Sequence, residues 1–131
     1  MSNTLDLSDL KKFTGDSERY CHPLNRRVIY TPGVQYVANQ ASAYWLIDAI
    51  ASYFGSPVMS QAMRRDTRLQ YMQFWKLQVT GSSALLTAEA DAGETPFITQ
   101  QIPYTDFPLP QIEIWAGFDG TYWTLYLPSE H

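Results

Sequence analysis

The longest apolar run is Ala43 to Phe54. It reads Ala-Tyr-Trp-Leu-Ile-Asp-Ala-Ile-Ala-Ser-Tyr-Phe, carries a single charge at Asp48 and is closed by Gly55. Its length and nearly continuous apolarity predict a largely buried central helix bearing one desolvated carboxylate. Ser42 is the expected cap, and Gly55 suits the left-handed position that ends a helix. Before it, Thr31-Pro32-Gly33 is a helix start: threonine caps free amides, and proline at the first helical position loses no intrahelical bond. Val34, Val37, Ala38 and Ala41 form the apolar stripe of that helix. Ser56-Pro57 repeats the signal and predicts a third helix to about Arg65, packed through Val58, Met59, Ala62 and Met63.

From Leu69 the period changes from helical to alternating. Tyr71, Gln73, Trp75, Leu77 and Val79 fall on one face of a strand, and Met72, Phe74, Lys76 and Gln78 on the other. Thr80-Gly81-Ser82-Ser83 turns the chain into a strand over Ala84 to Ala90, and Asp91 to Glu94 into another over Pro96 to Ile102. Three prolines between Pro103 and Pro110 predict an extended surface connection. Gln111 to Gly117 and Thr121 to Leu127 then form a hairpin about Asp119-Gly120, a dipeptide that supplies the positive φ that tight turns need.

Two weaker segments complete the N-terminal half. Leu5, Leu7, Leu10 and Phe13, with Asp6 or Ser8 as cap and Gly15 as stop, predict a short amphipathic helix. Asp16 to Arg27 is polar and irregular and leads to Val28-Ile29-Tyr30, a short edge strand or extended lead-in. Helices first and strands afterwards predict an α+β domain over residues 1–131, with the N-terminal helices packed on one face of a C-terminal antiparallel meander of about five strands.

The 131 residues are enough to bury a core without staples, and Cys21 alone makes neither a disulfide nor a cysteine-based zinc site. With no basic-then-apolar leader at Met1 to Thr4 and no run near the roughly twenty residues of a bilayer span, a cytoplasmic protein without a membrane segment is expected. The net charge of −4 argues against general nucleic-acid binding. Its distribution is uneven: to Lys76, nine basic residues against six acids give +3, and beyond it seven acids with no Lys or Arg give −7.

A string of local motifs adds a resemblance. Phe13-Thr14-Gly15, Tyr30-Thr31-Pro32-Gly33-Val34, the Ala43 to Ile50 helix, Phe74-Trp75-Lys76-Leu77, Tyr104-Thr105-Asp106-Phe107-Pro108 and Leu127-Pro128-Ser129-Glu130 together resemble a family of small uncharacterised proteins of bacterial, plasmid and phage genomes. The resemblance implies one domain and a mobile-element setting, and no activity, cofactor or catalytic residue.

Among candidate residues, Asp48 comes first, because a desolvated carboxylate either takes a partner or becomes a general base. The structural alternative is a pairing that pins Arg26, Arg27 or the first helix to the core. Cys21-His22 is not a dyad within itself, since neighbours in extended chain point to opposite sides. His131 is the other histidine, expected at a mobile end. Asp106 stands where it could meet Asp48 or Tyr104. Arg64, Arg65 and Arg68 make the one basic cluster, with helical spacing that puts Arg64 and Arg68 on one face for an anion. No phosphate loop, nucleophile elbow or metal-ligand set is present, and no cofactor or metal is implied.

Alternation finally places Phe74, Leu85, Trp115, Tyr122 and Tyr126 on one sheet face beside Glu89 and Glu113. Aromatic anchors with an acidic rim have the composition of a protein interface, so a protein partner or a second copy is expected there. The first expectation is a binding module; the second is a small hydrolase-like acid/base enzyme using Asp48 with His22 or a tyrosine.

Overall fold

The computed structural model describes residues 18–131. The amphipathic helix expected from Leu5, Leu7, Leu10 and Phe13 lies outside the described residues.

Three helices follow two short strands: β1 Tyr20–Cys21, β2 Val28–Tyr30, α1 Pro32–Gln40, α2 Tyr44–Tyr53 and α3 Pro57–Arg65. The strands β3 Met72–Thr80, β4 Ser83–Glu89, β5 Ile98–Ile102, β6 Gln111–Phe118 and β7 Trp123–Tyr126 complete the chain, with 3-10 turns at Thr67–Gln70 and Pro128–Glu130. The fold is α+β, as the order of elements predicts.

Local chemistry explains the helix starts. The Thr31 hydroxyl accepts from the Val34 amide and the Ser56 hydroxyl from the Met59 amide, each followed by proline at the first helical position. The central helix departs from expectation: Ala43, not Ser42, is its cap and makes no side-chain capping bond. Ser42 instead adopts φ 51°, the left-handed corner that lets α2 follow α1 almost at once. Gly55, at φ 92°, ends α2 as expected.

The sheet runs β1-β2-β7-β6-β3-β4-β5. All pairs are antiparallel except β2 with β7, which makes the sheet mixed and seven-stranded, two strands beyond the expected meander. Val28–Tyr30 is therefore not an edge. It sits between β1 and β7, and its parallel pairing is possible because three helices and four strands intervene in the chain.

One sheet face carries Gln73, Trp75, Leu77, Leu86, Ile112, Ile114 and Leu125, all buried with Leu46, Ile47 and Ile50 of α2. Phe54 joins the layers, its ring 6.3 Å from Trp75 and 4.7 Å from Trp123. Among the described residues Gln73 is the one side-chain amide in this core. It donates to Leu69 O at 3.0 Å and accepts the Trp75 indole N–H at 3.1 Å, so both ends are satisfied.

Two expectations about burial need correction. The proline-rich 103–110 connection is no surface loop, because Thr105, Phe107 and Leu109 alternate into the core while Tyr104, Asp106 and Pro108 face out. The main chain ties it down at both ends, Thr105 N to Ser82 O at 2.7 Å and Val79 N to Pro110 O at 2.7 Å. In α3 only Met59 is buried; Val58, expected on the packed stripe, is 53% exposed.

Candidate functional site

The sheet face turned away from the helices is built by cross-strand register. Phe74 of β3 lies opposite Trp115 of β6, and Trp115 opposite Tyr126 of β7, so the period of two delivers three aromatic rings to one row. Phe74 and Trp115 meet edge to face at 5.1 Å and 82°, and Trp115 and Tyr126 at 6.2 Å and 80°. These are the arrangements that the ring quadrupoles favour. The three side chains are half-buried.

His131 closes one end of the row. Its ring stacks on Tyr126 at 5.8 Å and 13°, meets Trp115 edge-on at 5.3 Å, and its Nδ1 lies 2.9 Å from the Tyr126 hydroxyl. The chain end is thus docked, where a mobile end is the sequence expectation. Burial holds the Tyr126 phenol above its ordinary range. Trp115 Nε1 is buried without a hydrogen-bond acceptor among the described residues. A cleft of about 460 Å³ beside the row is lined by Arg19, Ile29, Asp119, Thr124, Tyr126, Glu130 and His131.

The other two expected interface residues stand apart. Leu85 faces Gln78 and Gln101, well along β4 from Glu89, the residue opposite Phe74, and it lines a separate cleft of about 350 Å³ with Gln78, Ile102 and Pro103. Tyr122 is exposed in the turn before β7, where its amide bonds the Asp119 carboxylate. Of the five, Phe74, Trp115 and Tyr126 form one surface.

Asp48 corrects the sequence reading most sharply. It faces solvent with its side chain 64% exposed, and the buried group is its partner His22, whose side chain is 6% exposed. His22 Nε2 lies 2.8 Å from Asp48 Oδ1, while Nδ1 accepts the amides of Leu24 at 3.2 Å and Asn25 at 2.9 Å. A nitrogen that accepts two N–H bonds carries no proton, so the ring is the neutral tautomer that donates from Nε2 to Asp48. Both nitrogens are thereby engaged, and neither is placed to take a proton from the exposed Cys21, whose Sγ contacts the carbonyls of His22 at 3.6 Å and Arg26 at 3.7 Å. Nearby, burial raises the Tyr30 phenol, with Tyr44 and Asp48 adding to the rise.

The basic cluster is also divided. Arg68 is engaged by Asp66, at 2.7 Å from Nη2, and by Glu94, at 2.8 and 2.9 Å. Its side-chain hydrogen bonds hold both carboxyls below, and its own guanidinium above, the usual ranges. The expected Arg64 and Arg68 pair is thus not an anion fork; Arg64 and Arg65 remain exposed at the end of α3. Asp106 is exposed in the 103–110 connection, and the hydrogen-bond partner of Asp48 is His22. Among the described residues no three His, Cys, Asp or Glu side chains group as a metal site would.

Sequence reasoning missed Glu130. Its carboxylate accepts the Thr31 hydroxyl at 2.6 Å, the Gly33 amide at 3.3 Å and the Leu127 amide at 2.9 Å, and so sits on the first turn of α1. The local signals were the Leu127-Pro128-Ser129-Glu130 motif, which sets an acid at the third position of a turn, and a first turn of α1 with no acid of its own.

The chain belongs to a family of unknown function, DUF6876, whose model matches residues 4–131. No curated protein and no solved structure matches it.

Proposed function

We propose that this protein is a binding module, not an enzyme, and that it works through the sheet face bearing Phe74, Trp115 and Tyr126. The observation that carries the reading is the aromatic row itself: three rings and the His131 imidazole gathered on the face opposite the helices, where the core has no need of them. Aromatic side chains offer large contact area at small entropic loss, which is why they dominate interface energetics.

The partner is a protein, one with a basic surface that the acidic C-terminal half steers. We place the module in the cytoplasm, as an accessory or inhibitory protein of a mobile element. No helix among the described residues is long and apolar enough to cross a membrane.

The second reading, a hydrolase-like enzyme, draws on the His22 to Asp48 contact. It is the weaker one because both ring nitrogens are occupied and Asp48, exposed to water, is not the desolvated carboxylate that the reading requires.

Affinity capture from host lysate tests the first reading. Wild-type protein retains a partner, and Trp115→Glu and Tyr126→Glu proteins that keep the wild-type circular dichroism lose it. Retention by both variants contradicts the assignment of the face.

A further inference from the structure

We propose that two copies of this chain pair through their β5 strands, in register about a two-fold axis at Gln100, to make one continuous sheet. This surface is distinct from the aromatic row and does not depend on it.

Topology makes β5 one of the two sheet edges, and the two edges differ. At the other, β1 is two residues long and flanked by Glu18 and Arg19 on one side and Arg26 and Arg27 on the other. Shortness and charge are the devices that keep an edge from pairing. At β5 neither is present: from Thr95 to Thr105 there is no charged residue, and Ile98–Ile102 is a regular five-residue strand.

The direction of its backbone groups follows from hydrogen bonds along the sheet. Val79 N donates to Pro110 O, so the odd residues of β3 turn their main-chain groups to β6 and the even ones to β4. Through the register of Gln78 with Leu85 and Lys76 with Thr87, residues 84, 86 and 88 of β4 turn to β5. Their partners Ile102, Gln100 and Ile98 point back at them, which leaves the N–H and C=O groups of Thr99 and Gln101 directed outward. Neither has a main-chain partner on that side among the described residues.

The occupant is a second copy because the edge is complementary to itself. A two-fold axis at Gln100 sets Thr99 opposite Gln101 of the other copy, and each such pair exchanges two main-chain bonds. Ile98 then lies opposite Ile102 on the helix side, with Gln100 beside its own counterpart, and no like charges meet. Pro96 and Pro103 bracket the strand and confine pairing to it, since neither has an N–H to offer. Apolar surface flanks the edge in both layers: the exposed Val58 and half-buried Phe97 on the helix side, Leu85 and Pro103 on the other.

Sedimentation equilibrium on the purified full chain, with a cysteine cross-link, tests this. Wild-type protein is expected to dimerise. Gln101→Pro, which removes only an outward N–H, and Thr99→Lys, which charges the edge, are each expected to give folded monomers with the wild-type helix content. In a Cys21→Ser background, Gln100→Cys forms a disulfide dimer on mild oxidation and Thr99→Cys does not, because only residue 100 meets itself across the axis. A Trp115→Glu protein stays dimeric, so loss of partner capture and loss of dimer are separate results. A wild-type chain that is monomeric from micromolar to millimolar concentration, or a dimer that survives both edge variants without cross-linking at residue 100, overturns the proposal.

Discussion

Glu130 occupies the space that a side chain on Gly33 would need. A Cβ built on Gly33 would stand 2.6 Å from Glu130 Oε1, and the same carboxylate accepts the Gly33 amide and the Thr31 hydroxyl. The last turn of the chain is thereby fastened to the first turn of α1, an acid at the positive end of a helix dipole. Because Glu130 closes the short turn after β7 and His131 follows Glu130, the same latch holds the His131 ring against Trp115 and Tyr126.

The latch predicts a non-additive pair. Gly33→Ala displaces the flexible carboxylate, and Glu130→Ala removes it, so each is expected to destabilise by about 1 kcal/mol, the usual scale of a lost cap. The double variant should cost little more than either alone, since both remove one interaction. Urea denaturation of the four proteins measures this.

His22 and Asp48 predict an asymmetry. His22→Ala strands two amides and opens a cavity, an expected loss of about 2–3 kcal/mol. Asp48→Asn, at an exposed position, should stay within about 0.5 kcal/mol. Thermal melts distinguish the two, and equal effects would refute the assignment of the buried partner.

Phe107 belongs to the core although prolines surround it. Phe107→Ala is expected to cost about 3–5 kcal/mol, the range for buried aromatics. The neighbouring Tyr104, 75% exposed, should tolerate alanine within about 0.5 kcal/mol.

Arg68 gives a pH signature. It holds the Asp66 and Glu94 carboxyls below their ordinary values, so their contribution is fully present above the ordinary carboxylate range and is lost as pH falls through the lowered values. The wild-type melting temperature should therefore fall toward that of Arg68→Ala under acid conditions, and added salt should narrow the gap at neutral pH because Arg68 and Glu94 are exposed and Asp66 only half-buried.

What the sequence made legible was local. Thr31-Pro32 and Ser56-Pro57 mark helix starts because capping acts over three residues, and Trp75 and Trp115 alternate to opposite faces because a strand has period two. Contacts between distant segments left little trace. The parallel pairing of Val28–Tyr30 with β7, and the meeting of His22 with Asp48 across 26 residues, depend on how the layers close. Asp48 looked buried because its neighbours in sequence are apolar, yet one stripe of the helix, Tyr44, Asp48 and Ser52, faces water. In the 103–110 connection the alternation of Thr105, Phe107 and Leu109 was present and was outweighed by the prolines. The aromatic row was readable in its members and not in its boundary, since Leu85 shares its face but stands further along β4, and Tyr122 lies in the turn before β7.

The most direct measurement of the central claim is an NMR spectrum of the protein, labelled on its four tryptophan indoles, recorded alone and in unlabelled host lysate. The Trp115 indole signal is expected to shift or broaden in lysate, while that of Trp75, buried and bonded to Gln73, stays in place. A Trp115 signal unchanged in lysate while Trp45 or Trp123 moves would contradict it, and would put the working surface on the helix side of the sheet.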